Sequence, residues 1–384
     1  MAAADARPRV ARVGTSVSLN RILRYQLASL SDRGWEIVCV CDGDEWAEGL
    51  RELGLPVIPL GMGRRPGPLA ALRWGVSFYR LLRRERFTIV HTHNAFHGIA
   101  GRIAARCARV PIVVQTVHNW YYLDPPDALR ARVYLWLERL AGLASSAVLF
   151  LNSDDFARAA HNRIVPSRRR AFIGNGIDVA GFAAAAAAAD GSLVRNELGI
   201  PEDALLVTMM ARLEYPKDHD TFLRAFADIA AGLPAVRALL LGYGLQRPRI
   251  DALVDELGLA DRVIVEDHRD DVPAVMRASD LFVLSSYREG FGRSLVEAMV
   301  AGVPVIGSDV AGIRDVIEDG VNGFRPTGGD PQALAERMRQ LLGDADLRRD
   351  VAQRARVYAM EKFDESHPIG RIDAVYRELI ARRH

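Results

Sequence analysis

The sequence predicts an α/β protein built from two Rossmann-like, doubly wound domains that face each other across a cleft. Its 384 residues are too many for one efficient hydrophobic core, so two domains are expected. Short apolar runs alternate with helical patterns along nearly the whole chain, which indicates βαβ units and parallel sheets. The alternation is interrupted once, over 178–196, by a run of seven alanines at 183–189.

The first half predicts strands and helices in regular succession. Ile22, Leu23, Leu27 and Leu30 recur at helical spacing and predict one helix. Further helical patterns follow at 69–82, 99–107 and 128–141. The apolar runs that predict strands are 9–13, 36–41, 57–60, 88–91, 112–116, 147–151 and 171–173.

The second half repeats the alternation after residue 200. Predicted strands are 205–210, 237–241, 263–265, 281–284 and 304–308, and predicted helices are 218–231, 248–257, 272–278, 294–300, 331–342, 347–362 and 368–382. Polyalanine extends a helix or forms a tolerated low-complexity insertion, and both alternatives make 179–200 an interdomain connection. The predicted domains are 1–178 and 201–365, followed by a C-terminal helix at 366–384 that can pack back on the first domain.

The basic residues are distributed unevenly. Residues 1–175 contain 25 Arg and 14 acids, a net charge of +11, whereas the rest of the chain carries −9. A basic half predicts contact with an anionic membrane or with a phosphate-bearing acceptor, and no nucleic-acid partner is expected. The alternative is an arginine-rich composition spread over solvated faces.

Cysteine content and hydropathy favour a cytoplasmic location, at most peripheral on the inner face of a membrane. The three cysteines are an odd number, and two of them lie in an apolar run, which disfavours a disulfide framework. We find no apolar run of the roughly 18 residues that span a bilayer. The N-terminus lacks the apolar region of a secretory signal.

A glycine-rich segment carries the strongest functional signal. Glu289-Gly-Phe-Gly-Arg-Ser-Leu-Val-Glu297 directly follows the predicted strand 281–284. Glycines in a strand-to-helix turn let the backbone approach a ligand, and the amides at a helix N-terminus suit phosphate or hydroxyl groups. The segment therefore predicts a site in which two carboxylates contact different parts of one ligand.

Two cations follow the predicted strand 205–210. Arg212 and Lys217 lie in the loop beyond its carboxyl end, where doubly wound sheets bind ligands. Two cations there suit a diphosphate leaving group, whose negative charge grows as its bond breaks. Taken alone, the pair is more typical of an ordinary protein surface.

Together these segments resemble the family-four glycosyltransferases, which have the GT-B fold. The second half contains the family's elements in order, namely Arg212 with Lys217, Gly242-Tyr-Gly244, Glu289 to Glu297, Gly302-Val-Pro-Val305 and Asp319-Gly-Val-Asn-Gly-Phe324. In the first half the similar segments are Val90-His-Thr-His93, Val117-His118-Asn119 and Gly174-Asn-Gly-Ile-Asp178. The resemblance implies a retaining transferase that moves a hexose or N-acetylhexosamine from a nucleotide sugar.

The resemblance also implies roles for individual residues. The catalytic residues would be His118, Glu289, Arg212 and Lys217. Arg212 and Lys217 would hold the diphosphate, Glu297 the ribose hydroxyls, and Glu289 the transferred sugar. The remaining donor-binding residues would be Gly14, Gly244, His268, Arg269, Gly290, Phe291, Gly292, Arg293 and Ser294. The acceptor side would contain His93, Asn94, His118 and Asn119.

The loop after the first strand departs from the family pattern. Many members have a Gly-Gly pair there, whereas this chain has Gly14 alone, in Gly14-Thr-Ser-Val-Ser-Leu-Asn20. The variant resembles a subgroup that acts on polyprenyl-diphosphate-linked saccharides in surface polysaccharide assembly. A UDP-sugar donor and a saccharide or lipid-linked acceptor are therefore expected.

No cofactor or metal is expected. His91, His93 and His97 are close in sequence but lack an adjacent acidic or cysteine ligand. The acid pairs Asp218/Asp220 and Asp344/Asp346 fall at a helix start and an interhelix loop, where acids are common without metal.

Other functions are also considered for this chain. A dinucleotide-dependent oxidoreductase would need Gly-x-Gly-x-x-Gly after the first strand, and Gly14-Thr-Ser-Val does not supply it. A nucleotide-sugar epimerase and a non-catalytic binding protein of the same fold remain alternatives. The basic run Arg80-Leu-Leu-Arg-Arg-Glu-Arg86 is consistent with a membrane-surface helix or with a solvated helix end.

Overall fold

The structure is a computed structural model that describes residues 7–61, 67–120, 123 and 128–383. The chain divides into two compact units. The first contains Met1–Gly174 together with Ser366–His384, and the second contains Asn175–Glu365. Within the described residues, no helix is both long enough and apolar enough to cross a membrane.

Twelve strands are present in the described residues, and the ends of all the predicted strands agree with them to within one residue. They are β1 (Arg9–Val13), β2 (Glu36–Cys41), β3 (Val57–Pro59), β4 (Ile89–Thr92), β5 (Ile112–Val117), β6 (Ala147–Phe150), β7 (Arg170–Phe172), β8 (Leu206–Met210), β9 (Arg237–Leu241), β10 (Val263–Glu266), β11 (Leu281–Leu284) and β12 (Val305–Gly307).

The α-helices of the described residues alternate with these strands. They are α1 (Arg24–Asp32), α2 (Glu48–Arg51), α3 (Pro68–Glu85), α4 (Ala95–Cys107), α5 (Ala128–Ala144), α6 (Ser153–His161), α7 (Val179–Ala188), α8 (Gly191–Glu197), α9 (His219–Gly232), α10 (Arg247–Glu256), α11 (Val272–Ala278), α12 (Arg293–Ala301), α13 (Pro331–Gly343), α14 (Ala345–Lys362) and α15 (Ser366–Ala381).

The first unit contains a seven-stranded parallel sheet in the order β3-β2-β1-β4-β5-β6-β7. Strand β1 pairs with β2 on one side and β4 on the other, so the strand order reverses between β1 and β4. On one face, α1 and α15 pack over the sheet, and α15 buries Ile369, Ile372 and Tyr376. On the other face, α3 and α4 bury side chains that include Trp74 and Phe78.

The second unit contains a five-stranded parallel sheet in the order β10-β9-β8-β11-β12. Its strands are buried and apolar, as expected for a parallel sheet covered on both faces. Strand β8 pairs with β9 and with β11, so the order reverses between β8 and β11. The carboxyl ends of β8, β9, β10 and β11 therefore lie along one edge of the sheet.

The alanine-rich segment differs from the interdomain connection that the sequence predicts over 179–200. It folds as α7 and α8 inside the second unit, where α7 packs on α11 and α12. Alanine favours the helix, and the Asp178 and Asp190 side chains accept hydrogen bonds from the first-turn amides of α7 and α8. Close packing also requires small residues, because a Cβ at Gly191 would lie 2.5 Å from the Ala278 amide nitrogen.

Candidate functional site

Apart from Gly14, which lies in the first unit, the predicted donor-site residues lie in the loops after β8, β9, β10 and β11 and in the first turns of α12, at one edge of the second unit's sheet. Arg212 and Lys217 follow β8, Gly244 follows β9, and Glu289 follows β11. The loops after β8 and β11 flank the point at which the strand order reverses. Doubly wound sheets bind ligands at this topological switch point, because the connections leave in opposite directions and open a crevice.

An ion pair joins the loops that flank this switch point. The Nζ atom of Lys217 contacts the Oε1 atom of Glu289, and the two side chains are 18% and 12% exposed. The Ser286 hydroxyl donates to the same carboxylate oxygen at 3.2 Å. Lys217 ends a short 3₁₀ turn, Tyr215–Lys217, whose Pro216 carbonyl accepts from the Tyr287 amide at 3.0 Å. Two predicted catalytic side chains are thus held together and remain accessible.

Arg212 lies at the exposed edge of the same loop. Its guanidinium is 3.2 Å from Glu214, and its side chain is 58% exposed, which leaves it open to an anionic ligand. The adjacent backbone is fixed, because the Leu213 amide donates to the Tyr243 carbonyl at 2.9 Å. A Cβ at Gly244 would lie 2.3 Å from the Leu213 carbonyl oxygen, so only glycine permits this approach.

The segment from Gly290 to Gly292 forms the turn that leads into α12. Gly292 adopts φ +74° as the residue before the helix, a left-handed conformation that glycine takes without strain. Phe291 is 8% exposed and packs edge-on against Phe363, with ring centroids 5.5 Å apart. The buried phenyl ring fixes the turn, and Arg293 and Ser294 begin the helix, where backbone amides are available to an anion or a hydroxyl.

Glu297 lies one turn further along α12. Its side chain is 14% exposed and lies 3.1 Å from the Nε atom of Arg293. Loss of solvation raises the pKa of Glu297, while the charge and hydrogen bond of Arg293 act in the opposite direction. A mostly enclosed carboxyl group of this kind suits acceptance of hydrogen bonds from neutral hydroxyl groups.

The loop after β10 is fixed by its own ion pairs. The Arg269 guanidinium lies 2.9 Å from Glu197 and 2.8 Å from Asp271, with its side chain 13% exposed. His268 lies 3.0 Å from Asp270 and is half exposed. Because the Arg269 side chain holds two carboxylates, it is the backbone of this loop and His268 that remain available to a ligand.

In the first unit, Gly14 follows β1 and Asn94 follows β4, the two strands between which the strand order of that sheet reverses. Asn94 Oδ1 accepts from the Thr15 amide at 3.2 Å, and its Nδ2 donates to the Ser18 hydroxyl at 3.2 Å. Asn94 adopts φ 63° and ψ 162°, a region that is nearly exclusive to glycine. A Cβ at Gly14 would lie 3.0 Å from Asn94 Oδ1. Such strain is typical of functional sites, and here two hydrogen bonds maintain it.

A histidine cluster adjoins this point, in which His91 and His93 are fully buried and His118 is partly exposed. His93 Nδ1 and His118 Nε2 are 3.0 Å apart, and the rings of His91 and His93 stack with centroids 4.5 Å apart. Burial and the charge of Arg12 lower the pKa of His118 to about 4 and hold those of His91 and His93 well below 6.5. All three imidazoles are therefore neutral at physiological pH, so they can supply hydrogen bonds but no charge.

The histidine cluster is held by hydrogen bonds to residues that the sequence does not identify as functional. His91 hydrogen-bonds to the Tyr376 hydroxyl of α15 and to the Thr116 hydroxyl at 2.7 Å. Arg12 is fully buried and contacts Tyr376 and Gln26. Arg12 could have been identified from the sequence as a charged residue inside an otherwise apolar predicted strand.

Asn119, which the sequence predicts on the acceptor side, is next to His118 in the chain and is partly exposed.

Among the described residues, these histidines do not form a metal-binding group with acidic or cysteine side chains. Within the part of the chain that the structure describes, no three His, Cys, Asp or Glu side chains gather as a set of metal ligands. The Nε2 atom of His93 is buried and has no hydrogen-bond partner among the described residues. The described residues therefore leave the hydrogen-bonding capacity of this nitrogen unused.

Comparison with protein families identifies both halves of the chain. Residues 192–358 match the model of the glycosyl transferases group 1, and residues 19–176 match the glycosyl transferase 4-like domain. An Escherichia coli UDP-Gal:α-D-GlcNAc-diphosphoundecaprenol α-1,3-galactosyltransferase is 32% identical over 65% of this chain and 65% of its own length. A D-inositol 3-phosphate glycosyltransferase from Salinispora arenicola is 30% identical over 82% of this chain and 74% of its own length.

Comparison with solved structures agrees on the fold. The crystal structure of Anabaena HepE in complex with UDP and glucose has a TM-score of 0.81 at 23% identity, covering 97% of this chain and 100% of that one. Sucrose-phosphate synthase from Thermosynechococcus elongatus has a TM-score of 0.83 at 21% identity, covering 98% and 100%. These similarities confirm the predicted GT-B fold class of two parallel-sheet α/β domains.

Proposed function

The chain belongs to the group 1 glycosyltransferases, and from this membership we propose that it is a retaining enzyme that transfers a hexose or N-acetylhexosamine from a UDP-sugar. The proposed acceptor is a glycan or a polyprenyl-diphosphate-linked saccharide used in surface polysaccharide synthesis. The Lys217–Glu289 ion pair at the switch point of the second unit is the observation that carries the proposal.

The leaving diphosphate is proposed to bind Arg212 and Lys217. Arg212 is exposed for this contact, and Lys217 is held near the crevice by Glu289. Negative charge accumulates on the diphosphate as the bond to the sugar breaks, so preorganised cations stabilise the transition state more than the ground state. The amides at the start of α12 supply further donors at the same edge.

Glu289 and Glu297 are proposed to bind different parts of the donor. Glu297 accepts hydrogen bonds from the ribose hydroxyls, for which its enclosed carboxyl group is suited. Glu289 contacts the transferred sugar, supported by Ser286 and Lys217. Gly244, His268 and the backbone at Arg269 complete the proposed donor site of the second unit. The donor contact of Gly14, in the first unit, stays a prediction from the sequence.

Retention is proposed to follow from attack on the same face of the sugar from which the diphosphate departs. The acceptor oxygen bonds to the anomeric carbon, the diphosphate leaves, and a phosphate oxygen takes the acceptor proton. No enzymatic nucleophile and no metal ion are required in this scheme. His118, as a neutral imidazole, hydrogen-bonds to a sugar hydroxyl, and His93, Asn94 and Asn119 form the acceptor side.

Two similarities support the donor and the acceptor. The Escherichia coli relative is named for a UDP-sugar donor and a diphosphoundecaprenol-linked acceptor, and the HepE crystal structure contains UDP and glucose. A lipid-linked acceptor also agrees with the net charge of +11 in residues 1–175. We accordingly propose action at the cytoplasmic face of a membrane.

A thermal-shift screen tests the donor site without knowledge of the acceptor. The purified protein is melted with UDP, GDP, ADP, TDP or NAD in the absence of metal. We expect stabilisation by UDP that is lost in Glu297→Ala. Stabilisation by NAD alone would indicate an oxidoreductase, and no response to any nucleotide would indicate a non-catalytic protein.

A turnover assay then distinguishes sugar transfer from an epimerase-type reaction. With UDP-sugars and polyprenyl-diphosphate-linked GlcNAc, UDP release should depend on acceptor, and NMR of the product should show the donor's anomeric configuration. Acceptor-independent formation of UDP and a free sugar would instead support an epimerase-type reaction.

A further inference from the structure

Helices α3, α4 and α5 form an outer layer of the first unit. Helix α4 packs against both α3 and α5. The fully buried Arg102 of α4 and Glu138 of α5 form an ion pair at 2.7 Å, which fixes the rotation of α5 about its axis. Trp74 and Phe78 likewise fix the inward face of α3. The outward faces of α3 and α5 are therefore determined by buried contacts.

Helix α5 directs a continuous row of large apolar side chains outward. The residues are spaced by four, three, four and three positions, so they lie on one face of the helix, and each is between 42% and 69% exposed. They are Leu129, Val133, Trp136, Leu140 and Leu143. A row of this length on a water-soluble surface is unusual, and it marks an interaction site.

Helix α3 repeats the arrangement. Leu69, Leu72, Val76 and Tyr79 are spaced by three, four and three residues and are between 38% and 65% exposed. The two rows belong to helices that pack on the same helix, α4. We define the outward faces of α3 and α5, with these apolar residues and the exposed arginines named below, as the α3–α5 surface.

The charges on the α3–α5 surface have a single sign. Its exposed arginines are Arg73, Arg80, Arg83, Arg84, Arg130, Arg132 and Arg139. The two helices contain one acid each: Glu138 is buried in its ion pair, and Glu85, 24% exposed, lies within 3.5 Å of both Arg9 and Arg84. Apolar rows bordered by arginine are typical of helices that lie in the interface of an anionic membrane.

The same charges disfavour a second copy of the chain as the occupant. Two α3–α5 surfaces placed together would bring arginines against arginines, and the only partly exposed acid on the two helices, Glu85, is already paired with Arg9 and Arg84. An anionic bilayer instead supplies both an apolar layer for the rows and phosphates for the arginines.

We propose that the α3–α5 surface docks the protein on an anionic membrane, with the apolar row of α5 inserted at the boundary between headgroups and acyl chains. The inference depends on no step of the proposed reaction, and its test requires no turnover. Residues 1–175 are basic as a whole, and the α3–α5 surface is the part of them proposed to contact the membrane.

Tryptophan fluorescence gives a direct test because Trp136 is 61% exposed, whereas Trp35, Trp74 and Trp120 are at most 4% exposed and Trp46, the fifth tryptophan, is partly buried under Arg21. The full-length protein is mixed with phosphatidylglycerol–phosphatidylethanolamine vesicles or with phosphatidylcholine vesicles. We expect a blue shift and co-sedimentation with the anionic vesicles only, both weakened by high salt. Trp136→Phe should lose the shift and retain co-sedimentation.

Paired variants identify the surface. Leu140→Glu/Leu143→Glu and Arg80→Glu/Arg83→Glu should each reduce affinity for anionic vesicles at least tenfold, with unchanged circular dichroism melting. Leu193→Glu, at a position that is 65% exposed on α8 of the second unit, is the matched control and should bind like the wild type. Equal binding by all these proteins, or no binding by the wild type, would overturn the proposal. A dimer in analytical ultracentrifugation that Leu140→Glu dissociates would assign the surface to self-association instead.

Discussion

Lys217 and Glu289, which are 72 residues apart in the sequence, form an ion pair that joins the two loops on either side of the switch point in the second unit. The sequence predicts a role for each residue from its own motif, and the contact between them makes the two predicted roles interdependent. In the proposed reaction, Glu289 contributes to transfer by positioning Lys217 even before it contacts the sugar.

Replacing Lys217 tests the leaving-group site. Lys217→Ala should lower kcat at least about tenfold, equivalent to about 1.4 kcal/mol, because one cation is lost where negative charge accumulates. Lys362, the chain's second lysine, is exposed at the end of α14, so Lys362→Ala is the matched control. Steady-state UDP release measures both variants. An unchanged kcat in Lys217→Ala would remove this residue from the leaving-group site.

Replacing Glu289 separates chemistry from nucleotide binding. Glu289→Ala should lower transfer by about 100-fold or more, since the sugar loses its proposed contact and Lys217 loses its partner. The affinity for UDP, measured by calorimetry, should change much less than the rate, because UDP lacks the sugar and both proposed diphosphate cations, Arg212 and Lys217, are still present. Glu336→Gln, at an exposed position of α13, serves as the control. Wild-type activity in Glu289→Ala would contradict the proposed sugar contact.

The close backbone approach at Gly244 predicts a local effect on donor binding. In Gly244→Ala the new Cβ meets the Leu213 carbonyl oxygen, so the loop that carries Arg212 must shift. We expect UDP affinity to fall about tenfold, or about 1.4 kcal/mol, while the fold is retained. Gly232→Ala is the control, because a Cβ at Gly232 has no neighbour within 4 Å. Equal affinities in the two variants would show that the Arg212 loop tolerates the shift.

The buried histidines predict a pH response. Burial, reinforced by Arg12, lowers the pKa of His118 from 6.5 to about 4, so its imidazole signals in NMR should be unchanged from pH 8 to pH 5. His118→Asn assigns the signals. Because the folded state binds fewer protons than the unfolded state between about pH 6.5 and about 4, the stability from this group is full above pH 6.5 and falls as pH decreases. A titration midpoint near 6.5 would show that His118 is hydrated and not enclosed.

Chelation tests the proposed independence from metals. Dialysis against EDTA should leave the rate of UDP release unchanged, since Arg212, Lys217 and the α12 amides are proposed to carry the diphosphate charge. The rate is compared with and without added Mg²⁺ or Mn²⁺. Complete loss on chelation, restored by Mn²⁺, is the contrary result and would require a metal at the diphosphate.

The sequence predicts the strands and the loops of the candidate donor site because both depend on local patterns. Apolar runs of three to six residues determine the strands, and parallel pairing places Arg212, Gly244 and Glu289 at one edge. The family assignment and the fold class are confirmed. The roles of individual site residues remain predictions.

Several features could not be read from local patterns. Helix α6 (Ser153–His161) was not predicted, although Asn152 caps it by accepting from the Asp155 amide at 2.7 Å. The exposed apolar row on α5 cannot be predicted from the sequence, because a helix with apolar residues on both faces does not reveal which face is buried. The contact between Arg12 and Tyr376 spans 364 residues, and no sequence spacing indicates it.

The return of α15 to the first unit has a consequence for synthesis on the ribosome. Arg371 donates to the Ile173 carbonyl at 2.7 Å across 198 residues, and Tyr376 lies buried beside His91. At roughly 5–20 residues per second, the nascent first unit waits about 10–40 s for these side chains. The second unit, continuous from Asn175 to Glu365, has all of its own residues before then. Folding is therefore expected to be completed in the opposite order to translation, with the N-terminal half closing its core last.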